Sequence, residues 1–120
     1  GTGSVGAQDP LAAGTVLNRT VLTGAEKLEA ILVLREVPPG EASGWHTQSD
    51  TEIVYIIEGS VILEVKGKEA VTVKAGEAFT TSAGDVHNVK NASSSAPVKA
   101  AAFYIAKKGA QLEDLSVPAE

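Results

Sequence analysis

Gly44-Trp45-His46-Thr47-Gln48-Ser49-Asp50-Thr51-Glu52-Ile53-Val54-Tyr55-Ile56-Ile57-Glu58-Gly59 is the stretch on which the fold turns. From Glu52 it is β-branched, aliphatic and aromatic, the composition of a strand. Successive side chains of a strand point to opposite faces, so Val54 and Ile56 go with Glu52, while Ile53, Tyr55 and Ile57 go to the other side. Both faces are apolar and both need cover. Gly59 then turns the chain tightly into a second apolar run, residues 60–65, as a hairpin. His46 and Gln48, two apart, share a face.

Working outward, the same signal recurs every eight to twelve residues. Residues 30–37 form an aliphatic strand that Pro38-Pro39-Gly40 stops, because proline lacks the ladder donor and glycine turns the chain. Lys66-Gly67-Lys68 turns into 70–74, Ala75-Gly76-Glu77 leads to 79–81, and Ser82-Ala83-Gly84-Asp85 turns into 86–90. A polar loop, residues 91–97, precedes a last strand over 98–106. Short strands at this spacing with turn chemistry between them predict an all-β antiparallel sandwich or barrel. A short helix is expected only at 111–115. Residues 1–14, rich in Gly and Ala, are expected to be an arm, and 15–120 a single domain.

With 43% apolar residues and no run near the ~20 that a bilayer span needs, the chain has the composition of a soluble domain and no membrane partner is expected. A net charge of −5 with scattered lysines excludes a phosphate-binding stripe, and with it nucleic acid as a partner. The absence of cysteine excludes thiolate catalysis and Cys-ligated zinc or iron-sulfur centres. The chain has no methionine and opens on Gly1-Thr2-Gly3-Ser4, which reads as a non-native remnant on a processed form. Val5-Gly6-Ala7-Gln8-Asp9-Pro10 has the small-residue character found beside signal-peptide cleavage sites. Location stays open between export and the cytoplasm.

The chain has two histidines. His87 lies in a second segment, Gly76-Glu77-Ala78-Phe79-Thr80-Thr81-Ser82-Ala83-Gly84-Asp85-Val86-His87-Asn88-Val89-Lys90-Asn91. Together the two segments resemble the paired motifs of the cupin superfamily, G-x5-H-x-H-x(3,4)-E-x6-G and G-x5-P-x-G-x2-H-x3-N. Gly40, His46, Glu52 and Gly59 keep the first spacing; Gly76, Gly84, His87 and Asn91 keep the second. Gln48 stands where a second histidine is usual and Ser82 where proline is. The likeness spans roughly residues 30 to 107 and implies a jelly-roll (double-stranded β-helix) barrel.

It also implies one divalent transition metal, Fe, Mn, Ni, Zn or Cu, held by His46, Glu52 and His87. Two imidazoles and a carboxylate are the composition of the facial triad of non-haem iron enzymes. Gln48 either adds an amide oxygen as a fourth ligand or orients a bound water, and an amide in place of an imidazole favours harder ions. A small-molecule ligand would meet a mostly aliphatic pocket, formed by Val54, Ile56, Val89, Phe79 and Phe103, without an arginine or lysine clamp. Asp50 and Glu58 read as turn and rim residues, Gly84 as a positive-φ position. Glu52 is the carboxylate able to act as general base.

Two functions remain open. One is a metalloenzyme acting on a small organic molecule, dioxygenase-like or isomerase/lyase-like; the other is a non-catalytic module that binds or senses a sugar or metabolite. A strand apolar on both faces, in a chain with few helices to cover it, points to a homodimer.

Overall fold

The computed structural model describes residues 14–110 and 112, and among them the regular structure is entirely strand. The strands are β1 (Thr15–Leu22), β2 (Ala25–Val37), β3 (Thr51–Glu58), β4 (Ser60–Val65), β5 (Val71–Lys74), β6 (Ala78–Thr81), β7 (His87–Asn91) and β8 (Val98–Lys107). They form a five-stranded sheet in the order β1-β2-β8-β3-β6 and a three-stranded sheet in the order β5-β4-β7, every pairing antiparallel. The expected antiparallel jelly roll is the fold observed. Of the helix expected at 111–115 only Leu112 is described, and of the arm expected at 1–14 only Gly14.

The hairpin of β1 and β2 through Thr23-Gly24 was not expected. Residues 15–29 carry little alternation, and β1 is exposed along almost its whole length at the edge of the large sheet. Pairing with β2 makes it a strand, not a buried face of its own. Glu29 ties this region down: its buried carboxylate accepts from Arg19 Nη1 at 3.1 Å and from the Gly109 backbone N–H at 3.0 Å.

The core lies between the two sheets. Ile31 and Val33 of β2, Val54 and Ile56 of β3, Val61, Val73, and the inward residues of β8, Val98, Ala100, Ala102, Tyr104 and Ala106, form one buried cluster. β8 is central, paired on both sides with β2 and β3, and its strict alternation makes it the clearest amphipathic strand of the molecule. Between β3 and β4, Gly59 has φ 87°, and a Cβ there would stand 2.9 Å from the Pro97 carbonyl oxygen. Only glycine fits both the conformation and the space.

The segment between β2 and β3 extends the small sheet. Gly40, Ser43 and His46 donate backbone N–H groups to Ser93, Val89 and His87, and Asn91 returns one to Glu41. Asn91 anchors the start of this segment: its Nδ2 reaches the carbonyls of Val37, Pro38 and Ala96, while its Oδ1 accepts from the Ser93 amide.

Candidate functional site

His46 and His87 are directly opposed. Each donates its backbone N–H to the other's carbonyl at 2.9 Å, the reciprocal pair of an antiparallel ladder, which sets both side chains on one face. Their ring centroids are 4.2 Å apart and both rings are buried. Each ring is oriented by the carbonyl two residues before it: His46 Nδ1 by Gly44 at 2.8 Å, His87 Nδ1 by Asp85 at 3.4 Å. A carbonyl only accepts, so the Nδ1 of each ring carries the proton. Asn88 supports the first loop by accepting from the Gly44 N–H at 3.0 Å.

Burial, and then the neighbouring His46, hold the His87 imidazole below its usual range, against the opposing pull of the Asp85 carbonyl and of Glu52 and Asp85 charge. His87 is therefore neutral at pH 7, the form that binds a metal.

Glu52 and Gln48 meet through Thr81, to which sequence reasoning gave no role. The Thr81 hydroxyl donates to Glu52 Oε1 at 3.1 Å and accepts from Gln48 Nε2 at 3.2 Å. Thr81 is paired with Glu52 in the β3–β6 register, which places the hydroxyl beside the carboxylate. With its nitrogen so engaged and 3.4 Å from the Asp50 carbonyl, Gln48 leaves its Oε1 buried and without a hydrogen-bond partner.

Asp50 corrects the reading of that residue as part of a turn on the rim. The inward alternation runs unbroken through His46, Gln48, Asp50 and Glu52, and Asp50 is only 5% exposed. Neither of its carboxylate oxygens has a hydrogen-bond partner. Burial and then the charge of Glu52 push its carboxyl up to about 6, opposed by its own backbone N–H.

Of the expected pocket residues, Val54 and Ile56 are in the core, with Phe79 and Val89 packed against it. Phe103 is not there: it is 40% exposed on the outer face, and the parity of β8 sends its neighbour Tyr104 inward instead. Tyr104 lies opposite Glu52 in the β3–β8 register. Arg35 shares the parity of Ile31 and Val33, and its Nε and Nη2 donate to the Tyr104 hydroxyl at 3.2 and 2.8 Å. Gly84 has φ 87°, as expected, and its N–H donates to the Gln48 carbonyl at 3.0 Å.

Among the described residues, no three His, Asp or Glu side chains close into a shell around a metal ion. The donor chemistry nonetheless fits one: two buried imidazoles, a carboxylate held by Thr81, and a buried amide oxygen without a partner.

The family model described as Cupin domain matches residues 33–104. A search of curated proteins gives no significant match. Among solved structures, the chain is similar to a conserved protein with a double-stranded β-helix domain from Klebsiella pneumoniae, with TM-score 0.64, 18% identity, and coverage of 85% of this chain and 84% of the other. A Cupin 2 conserved barrel domain protein from Salinispora arenicola aligns with TM-score 0.57 and 23% identity over 76% of this chain and 72% of its own. The DMSP lyase DddQ from Ruegeria pomeroyi aligns with TM-score 0.61 and 18% identity over 86% of this chain but only 52% of its own, so this chain spans about half of that enzyme. At these identities the likeness is one of fold.

Proposed function

The chain belongs to the cupin domain family, and from that premise we propose that it is a metal-dependent cupin acting on a small organic molecule, with His46, Glu52 and His87 as ligands and Gln48 as a fourth. The observation that carries this reading is the pair of opposed, buried imidazoles at 4.2 Å with the unpartnered Gln48 oxygen on the same face. When bound, a divalent ion, whether Fe, Mn, Ni, Zn or Cu, supplies Lewis-acid polarisation of substrate oxygens. The residues of the chain do the rest. The Gly44 and Asp85 carbonyls keep the Nδ1 protons and so aim Nε2 inward. Thr81 holds Glu52 and Gln48 in mutual register, and Glu52, once off the metal, would be the carboxylate to take a substrate proton. Val54, Ile56 and Tyr104 keep water from the interior behind them.

Both a dioxygenase-like and an isomerase- or lyase-like reaction suit this arrangement, and the fold likeness to a DMSP lyase supports including the lyase class. The aliphatic interior supports a second reading, a binding or sensing module without turnover. Metal analysis of protein purified without chelator tests the first step: one ion per chain is expected, and a His46→Ala, His87→Ala variant with undiminished metal would eliminate the centre. Oxygen uptake and product formation over diketones, catechols, flavonols and DMSP then separate enzyme from binder; a metal-loaded protein silent on all of them while binding a small molecule is the binder.

A further inference from the structure

Between the segment 42–46 and β7 the ladder carries one extra residue. Ala42 is bridged to Lys90 and His46 to His87, so four steps along the first segment oppose three along the second, the mark of a β-bulge. Gly44 lies inside it with φ 88°, the left-handed conformation for which such a bulge uses glycine. Where the backbone pattern is interrupted, two side chains take over its hydrogen bonds. Asn88 Oδ1 accepts from the Gly44 N–H at 3.0 Å, and Ser43 Oγ accepts from the Val89 N–H at 3.1 Å while donating to the Gly44 carbonyl at 3.0 Å. The same carbonyl accepts from His46 Nδ1 at 2.8 Å. Gly44 is thus gripped at both its N–H and its C=O, and the His46 ring hangs on the second of these.

Asn88 is itself held. Side chains alternate along β7, so Asn88 stands on the face opposite His87, where the register pairs it with Glu64 of β4. Its Nδ2 donates to Glu64 Oε1 at 2.9 Å, and Lys90 Nζ lies 3.4 Å from Glu64 Oε2. The Asn88 amide, and then Lys90, hold the Glu64 carboxyl below its usual range against the pull of burial, so at pH 7 it is an acceptor alone. A carboxylate on one side and a backbone N–H on the other admit one orientation of the buried amide.

We propose that Asn88, fixed by Glu64, is a positioning residue for His46: it locks the bulge at Gly44 and, through the Gly44 carbonyl, sets the angle and tautomer of the His46 ring against His87. Bulges re-aim side chains beside functional sites, and the group that orients an imidazole from behind decides which ring nitrogen keeps the proton. His87 is oriented separately, by the Asp85 carbonyl, and serves as an internal reference. The consequence for metal affinity rests on the metal-binding reading above; the effect on the ring does not.

The test compares the full chain, stripped of metal, as wild type, Asn88→Ala, Glu64→Ala and the double variant Asn88→Asp, Glu64→Gln, which exchanges donor and acceptor between the two residues and keeps an acceptor for the Gly44 N–H. Folding is followed by circular dichroism, the protonated nitrogen of each imidazole by nitrogen nuclear magnetic resonance at mildly alkaline pH, and Zn(II) affinity by competition with a chromophoric chelator. The chain has two histidines, so each ring is read separately. Expected in Asn88→Ala is a His46 ring that loses its single Nδ1-protonated form, a His87 ring as in the wild type, and Zn(II) binding weakened by about ten-fold or more. Glu64→Ala should move His46 the same way to a smaller degree, and the double variant should restore the wild-type ring. If Asn88→Ala does not fold, Glu64→Ala and the double variant carry the comparison. A His46 ring unchanged in every folded variant overturns the proposal, and so does an equal disturbance of both imidazoles, which marks a general structural loss. A double variant with His46 no better fixed than in Glu64→Ala also overturns it. A wild type that binds no Zn(II) removes the metal-binding reading, while the ring measurement still decides the role of Asn88.

Discussion

At the scale of single residues, the site depends on a few polar groups buried together. Thr81 is the joint between Glu52 and Gln48. Replacing it by Val keeps the shape but removes a donor and an acceptor at once, leaving two more buried groups unpaired; a loss of about 1–3 kcal/mol is expected in denaturant unfolding, with weakened metal uptake. Asp50 gives the metal-free protein a pH dependence of definite sign. Its folded carboxyl is pushed up to about 6 from an unfolded value of ~4. Ionising it therefore costs folding free energy; the cost is absent below about pH 4, grows to about pH 6 and persists above. Metal-free Asp50→Asn should melt higher than wild type at pH 7, and the gap should close near pH 4. A gap that widens on acidification would contradict the burial argument. The resemblance to the cupin motifs singled out His46, Glu52 and His87, whereas nothing in the sequence marked Asp50 as an inward residue. Ser49-Asp50-Thr51 has the composition of a turn, and only the backbone shows the inward alternation passing through it.

At the scale of elements, glycines and the central strand set the geometry. Gly59 joins β3 to β4 with positive φ and its α-carbon against the Pro97 carbonyl. Gly59→Ala combines strain at φ 87° with a contact of 2.9 Å to backbone, and a destabilisation of roughly 2 kcal/mol is expected by chemical denaturation. On β8 the inward positions before Tyr104 are Ala100 and Ala102, both buried. Ala102→Leu overfills that layer; a cost of about 1–3 kcal/mol is expected, read the same way. Six of the eight strands were readable as apolar runs bounded by turn residues. β1 and the first half of β2 were not, since an exposed edge strand needs no alternation of its own. Phe103 and Tyr104 show the limit of parity: with adjacent aromatics, either could point inward until the register with β2 and β3 is known. Arg35 escaped notice because a charged residue in a strand is ordinarily outward-facing. Its phenolic partner on β8 is 69 residues away.

At the scale of the whole molecule, the large sheet presents an apolar outer face. Leu34, Ile53, Tyr55, Ile57 and Phe103 are each between 40% and 49% exposed there. Leu32, Phe103 and Ile53 are cross-strand neighbours in one row, and Leu34, Ala101 and Tyr55 in the next. This is the face that the sequence required to be covered, and we propose it as the contact of a homodimer. Sedimentation at micromolar concentration should give a dimer, and Ile53→Glu a monomer with unchanged circular dichroism; a monomeric wild type would remove the proposal. By itself the sequence determined the strand periodicity, the hairpin glycines and, through its two motifs, the family, because these depend on residue types at short fixed spacings. The tertiary structure alone decided that Asp50 is inside, that Tyr104 and not Phe103 faces the core, that Arg35 meets Tyr104, and that Thr81 joins Glu52 to Gln48. Each of these depends on which strand lies beside which and in what register, and pairings between distant segments leave no local trace in the chain.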